Sequence, residues 1–181
     1  MKKGIFILLA VLMGSLFIQS CTTTPTSTVV VKLGETTINE IENNTGYIWY
    51  KAAYDSYPDS INKLVFDSSV NSIKSNDSGQ THSIVMVIKP TCTCPYTKEY
   101  FPQVMKVIDA AGISRTNKVK IFVTDASLAG IDDVKQQYKF GAAPIFILLK
   151  NNIEVGRFGF DDFEKNNFST IKAMTDLFMI K

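Results

Sequence analysis

The chain has 181 residues, 45% of them apolar and 20% charged, which excludes general disorder and leaves room for one compact domain with a modest extension. Its 19 bases and 17 acids give a formal charge of +2, and Lys2 and Lys3 account for the excess, so no electrostatic case for a nucleic-acid partner remains. Those two lysines precede an apolar run from Gly4 to Ile18, too short to cross a bilayer as a full span and patterned as the charged and apolar parts of an export signal.

Ile18-Gln19-Ser20-Cys21 resembles the lipobox of bacterial lipoproteins, in which a small residue precedes a cysteine that is acylated and becomes N-terminal after cleavage. The resemblance implies a signal peptide over residues 1–20 and lipidation of Cys21. An ordinary signal peptide with a chance cysteine, or an uncleaved anchor, is the alternative. Thr22, rather than an aspartate, follows Cys21, which in a Gram-negative cell is similar to lipoproteins sent to the outer membrane and facing the periplasm. Residues 21–34 then read as a polar tether, since Cys-Thr-Thr-Thr-Pro-Thr-Ser-Thr has nothing to bury. Within it Val29 to Leu33 is a short candidate strand without an identifiable partner.

Residues 35–80 form a helical N-terminal extension. Thr37-Ile-Asn-Glu40 is a capping box and starts a helix, which Gly46 interrupts. Tyr47, Trp49, Tyr50, Tyr54 and Tyr57 follow, either packing the extension onto the core, which we favour, or forming a partner-binding patch. Pro58 and Asp59 restart a helical pattern through Ile61, Leu64, Val65 and Ile73.

The period changes after the polar stretch from Ser75 to Gln80. Ser83 to Ile88 is a β-branched apolar run suited to a strand buried on both faces. A helix from Pro95 to Ala111, a strand from Val119 to Thr124, and a helix from Ile131 to Tyr138 follow. The chain then gives a strand from Ile145 to Leu149, a turn at Lys150-Asn151-Asn152, a strand from Ile153 to Phe158, and a last helix from Phe163 to Phe178. The βαβαββα order predicts an α/β fold over residues 81–181, a central mixed sheet flanked by helices with right-handed crossovers.

Cys92 and Cys94 stand two residues apart, and a bridge between such neighbours closes too small a loop to stabilise a fold, so redox or metal chemistry accounts for the pair better. Pro95 suits the first helical position, which places Cys94 at the N-cap, where unpaired amides and the helix dipole favour a thiolate.

A buried strand, then Cys94-Pro95-Tyr96-Thr97, then Pro102 inside the following helix resembles the thioredoxin superfamily. Tyr138-Lys139-Phe140-Gly141-Ala142-Ala143-Pro144 before a strand resembles that family's cis-proline segment. The plainer alternative is a trans proline entering an edge strand. The resemblance implies a thioredoxin-like domain acting in thiol/disulfide exchange on protein substrates. Cys94 would be the nucleophile, Ala143 and Pro144 would hold the peptide, and Pro95 and Pro102 would shape the helix. No cofactor or resident metal is implied; protein thiols and disulfides and a redox partner are.

The departures from the family matter for mechanism. Thr97 stands where the family carries its resolving cysteine, Ile88 stands where thioredoxins carry a buried acid, and Thr93 replaces a tryptophan. Cys92 is the candidate resolving thiol, able to form a small Cys92–Cys94 disulfide ring of oxidising character, and Thr97 is assigned a hydrogen bond to the Cys94 sulfur; Cys94 acting alone is the alternative. The alternatives are a Cu(I) chaperone holding a soft ion between Cys92 and Cys94, or a redox-inert binding domain. The sole histidine, His82, reads as an exposed loop residue at the other end of the sheet, too far away to join them. One histidine cannot build a hydrolytic triad, and no zinc-protease or phosphate-loop motif occurs. Asp132-Asp133 and Asp161-Asp162 lie near helix starts, where carboxylates cap.

Overall fold

The computed structural model describes residues 31–59, 62–79, 81–91, 95–165 and 167–180. Cys21 and the Cys92-Thr93-Cys94 segment lie outside the described residues, as do the signal-peptide expectation and most of the tether.

Of the Val29–Leu33 strand expectation, Val29 and Val30 lie outside the described residues and Val31 to Leu33 precede β1 (Gly34–Thr36), whose Gly34 was the last residue assigned to the tether. Its partner is β3 (Val119–Val123), antiparallel. The start of β1 has a packing cause. Gly34 takes φ +102°, which frees the strand entry, and Leu33 crosses so close to Gly130 that a Cβ there would lie 2.9 Å from the Leu33 Cβ.

The Thr37 capping box forms in full: its hydroxyl oxygen accepts from Glu40 N–H at 3.2 Å, and the Glu40 carboxylate accepts from Thr37 N–H at 2.8 Å. The helix it opens, α1 (Ile38–Glu42), is short; a 3-10 turn over Thr45–Tyr47 and then α2 (Trp49–Ser56) follow. After a cis Tyr57–Pro58 bond comes α3 (Lys63–Asn76). Leu64 and Val65 are 84% and 59% exposed, contrary to the expected apolar pattern, because this helix turns Phe66, Val70 and Ile73 inward at i, i+4 and i+7.

The central strand β2 (His82–Ile88) pairs in parallel with β3 and antiparallel with β4 (Ile145–Lys150), which pairs antiparallel with β5 (Ile153–Gly159). The order β1-β3-β2-β4-β5 makes a mixed five-stranded sheet. Both faces of β2 are covered from Ile84 to Ile88, as the apolar run predicted. Ile84, Met86 and Ile88 face one core with α4 (Tyr96–Ala111) and α7 (Thr170–Phe178), while Val85 and Val87 face a smaller core under α5 (Asp132–Tyr138). The architecture is α/β, a central mixed sheet flanked by helices. At Asn151 and Asn152, φ values of +53° and +64° close the β4–β5 hairpin, a conformation asparagine tolerates.

The expected final helix is two helices. A four-residue α6 (Phe160–Phe163) ends, Asn167 takes φ +66°, and Ser169 caps α7 by accepting from Lys172 N–H at 3.4 Å. Asp162 caps α6, its carboxylate accepting from Gly159 N–H at 3.0 Å, and Asp132 and Asp133 lie in the first turn of α5.

The extension shares the larger core rather than standing apart. Ile38, Ile41, Tyr47, Tyr50, Phe66, Val70 and Ile73 join Phe101, Met105 and Ile108 of α4, and the Tyr50 and Phe101 ring centroids are 5.4 Å apart. A polar clasp closes the edge. The Tyr54 hydroxyl donates to Asp109 at 2.6 Å, Arg115 donates to both Asp109 and Glu42, and the Lys106 ammonium sits 4.3 Å over the Tyr54 ring.

Candidate active site

Ile88 ends β2 fully buried, and the chain turns through residues 89–91 toward the cysteine segment before α4 begins. The helix starts at Tyr96, with Pro95 at the N-cap, so the expected assignment of that position to Cys94 shifts by one residue. The physical reason is that Pro95 already holds helical dihedrals, φ −73° and ψ −17°, and its carbonyl accepts the first helical bond from Glu99 N–H at 3.0 Å. Pro102 lies buried within α4, which continues unbroken across it.

Thr97 is 1% exposed, and its hydroxyl oxygen accepts from Lys89 N–H at 3.0 Å. That bond ties the first turn of α4 to the chain leaving β2. A hydroxyl this buried normally needs a partner, and among the described residues the Lys89 amide supplies one.

The Ala143–Pro144 bond is cis. Ala143 is 1% exposed and packs in the core under α5, and Pro144 is buried beside it. Pairing of Ile145 with Val87 sets this segment level with the end of β2, next to the chain that enters α4. The connection is direct. Pro144 C=O accepts from Phe160 N–H at 3.0 Å, and the Phe160 ring meets the Tyr96 ring edge-on at 5.4 Å. Residues 95–97, 143–144 and 159–160 therefore converge at the carboxyl end of the central strand, where open α/β sheets place their ligands.

Gly159 and Phe160 were not singled out from the sequence. Gly159 is extended, φ −173°, so its need is close approach: a Cβ would lie 2.8 Å from Pro144 O and 3.2 Å from both Ile145 Cα and Cβ. The available signal was a glycine ending a strand directly before Phe-Asp-Asp. Behind the site Tyr100 stacks on Phe163 with centroids 4.1 Å apart, and Phe168 closes on both rings edge-on, at 5.2 and 4.8 Å.

His82 corrects an expectation. It is 1% exposed rather than a surface loop residue, because it begins β2 beneath Phe178, at 4.9 Å between ring centroids, with Nδ1 2.8 Å from Asp77 Oδ1. It stands at the opposite end of β2 from Thr97 and Pro144.

Neither a comparison with protein-family models nor one with curated proteins yields a match. Among solved structures the chain is similar to thioredoxin O2 from Arabidopsis thaliana in the oxidized state. The identity is 13% and the TM-score 0.36, over 64% of this chain and 90% of that one.

Proposed function

We propose that the protein exchanges thiols and disulfides with protein substrates on the extracytoplasmic side of a membrane, held there by lipid on Cys21 after removal of residues 1–20. In this reading residues 21–34 tether the domain to an outer membrane and the domain faces the periplasm. The observation that supports it most is the convergence of Pro95 and Thr97 with the cis Ala143–Pro144 segment at the carboxyl end of β2, immediately after the cysteine pair in sequence.

The chemistry balances within the two thiols. The Cys94 thiolate attacks one sulfur of a substrate disulfide, forming a mixed disulfide and releasing the other substrate sulfur as a thiolate. Cys92, deprotonated, then attacks the Cys94 sulfur, expelling the reduced substrate and leaving a Cys92–Cys94 disulfide. The substrate gains two electrons that the cysteine pair loses, and a redox partner resets the pair; the reverse sequence oxidises a substrate dithiol. The positive end of the sixteen-residue α4 favours the Cys94 thiolate. Thr97, whose hydroxyl oxygen is held by Lys89 N–H, directs its own hydrogen at the Cys94 sulfur. Peptide binding along Ala143 requires the residues over that buried backbone to move aside.

An insulin-reduction assay of the full chain with Cys92→Ser and Cys94→Ser variants tests the proposal. Activity should vanish in Cys94→Ser and persist, reduced, in Cys92→Ser. Full activity in Cys94→Ser would overturn it.

A further inference from the structure

We propose a second, non-redox site: a cleft at the opposite end of the sheet that binds a small anionic polyol, a sugar carrying a carboxylate or a phosphate. The cleft has a cause in the fold. The seven residues of α5 rise only about 10 Å, whereas the seven of β2 extend about 23 Å, so the helix leaves the lower part of its sheet face uncovered. Ser83 and Lys120 lie on that face by strand alternation, in register with Val85 and its neighbours of the smaller core.

The open cleft is about 530 Å³, within the range of small-molecule sites, and it lies at the end of β2 away from Thr97 and Pro144. The exposed Lys120 lines it, with Lys118 beside it, and no carboxylate does among the described residues. Asn117, Gln137, Asn151 and Asn152, whose amides can donate and accept, line it too, as do the hydroxyl-bearing Thr81, Ser83 and Tyr138, a composition that suits vicinal hydroxyls. Glu154, the acid that bears on Tyr138, is itself paired with Arg157. Cationic residues set among amide- and hydroxyl-bearing ones match an anion on a hydroxylated frame better than an apolar ligand or a metal cation.

The isotope-labelled full chain, titrated with glucuronate, glucose 6-phosphate and glucose, tests this through the amide resonances of Asn117, Gln137, Tyr138 and Asn151. At least one anion should saturate, and which of them does identifies the head group; glucose should bind about tenfold more weakly. Lys120→Gln, at an exposed position, should weaken anion binding about fivefold and leave glucose unchanged. Absence of saturable shifts, equal binding of glucose, or an unaltered Lys120→Gln variant would overturn the proposal. Insulin reduction is independent of all three outcomes, so this site and the thiol chemistry stand or fall separately.

Discussion

Gly159→Ala probes the joint between β5 and the cis-proline segment. The added Cβ would sit 2.8 Å from Pro144 O and 3.2 Å from Ile145 Cα and Cβ, and none of these atoms is the free end of a flexible side chain. Backbone must therefore move, and overpacking of this kind costs about 1–3 kcal/mol. Alanine restricts the unfolded chain and returns about 0.4–1 kcal/mol, since the extended backbone at φ −173° accepts it without torsional penalty. The steric term wins, for a net loss of about 1–2 kcal/mol. In a chain of this size that lowers the thermal midpoint by roughly 2–8 °C by circular dichroism. The displaced Pro144 also loses the 3.0 Å bond from Phe160 N–H, so thiol exchange should fall about tenfold in the insulin assay. Gly156→Ala is the control: its Cβ would meet Leu177 Cδ2 at 2.4 Å, a side-chain end that can swing away, and exchange should be unchanged. A Gly159→Ala protein as stable and as active as its parent would refute the reasoning.

Thr97→Val keeps the shape of the side chain but strips the Lys89 amide of its acceptor, which should cost about 1–3 kcal/mol in urea unfolding, while Thr97→Ser restores most of it. Tyr50→Phe should be neutral or stabilising within about 0.5 kcal/mol in the same measurement, because the Tyr50 hydroxyl is buried without a partner among the described residues. Burial pushes the Tyr47, Tyr54 and Tyr57 hydroxyls up to about 12, from an ordinary value of 10, and Asp109 contributes further at Tyr54. Between those values the unfolded chain has lost protons that the native one retains, so their stabilisation is complete below pH 10 and lost as the pH rises toward 12. Unfolding midpoints at pH 8 to 11.5 should fall in the alkaline limb, and the fall should lessen when Tyr47 and Tyr57 are replaced by Phe.

Strong local signals were legible in the sequence. The Thr37 capping box, the two-faced apolar run of β2 and the Asn151-Asn152 hairpin each declare themselves through side chains that act on their own backbone or through an unbroken β-branched apolar run. Features set by distant contacts were not. Whether Leu64 or Phe66 faces inward depends on how α3 meets α4 and α7, and the start of β1 depends on the crossing of Leu33 over Gly130. His82 reads as exposed because its neighbours are polar, but Asp77 and Phe178 cover it from elements on either side in sequence. At the candidate site, Pro95, Thr97, Ala143 and Pro144 were named from motif order. Gly159 and Phe160 were missed because their role is a contact with Pro144 from another strand.

The most direct test of the central claim is capture of the mixed disulfide. Cys92→Ser, incubated with a disulfide-bonded peptide and quenched with acid, should carry the peptide on Cys94 by mass spectrometry, whereas Cys94→Ser should carry none. A peptide found on Cys92 of the Cys94→Ser protein, or no adduct in either variant, would contradict the account.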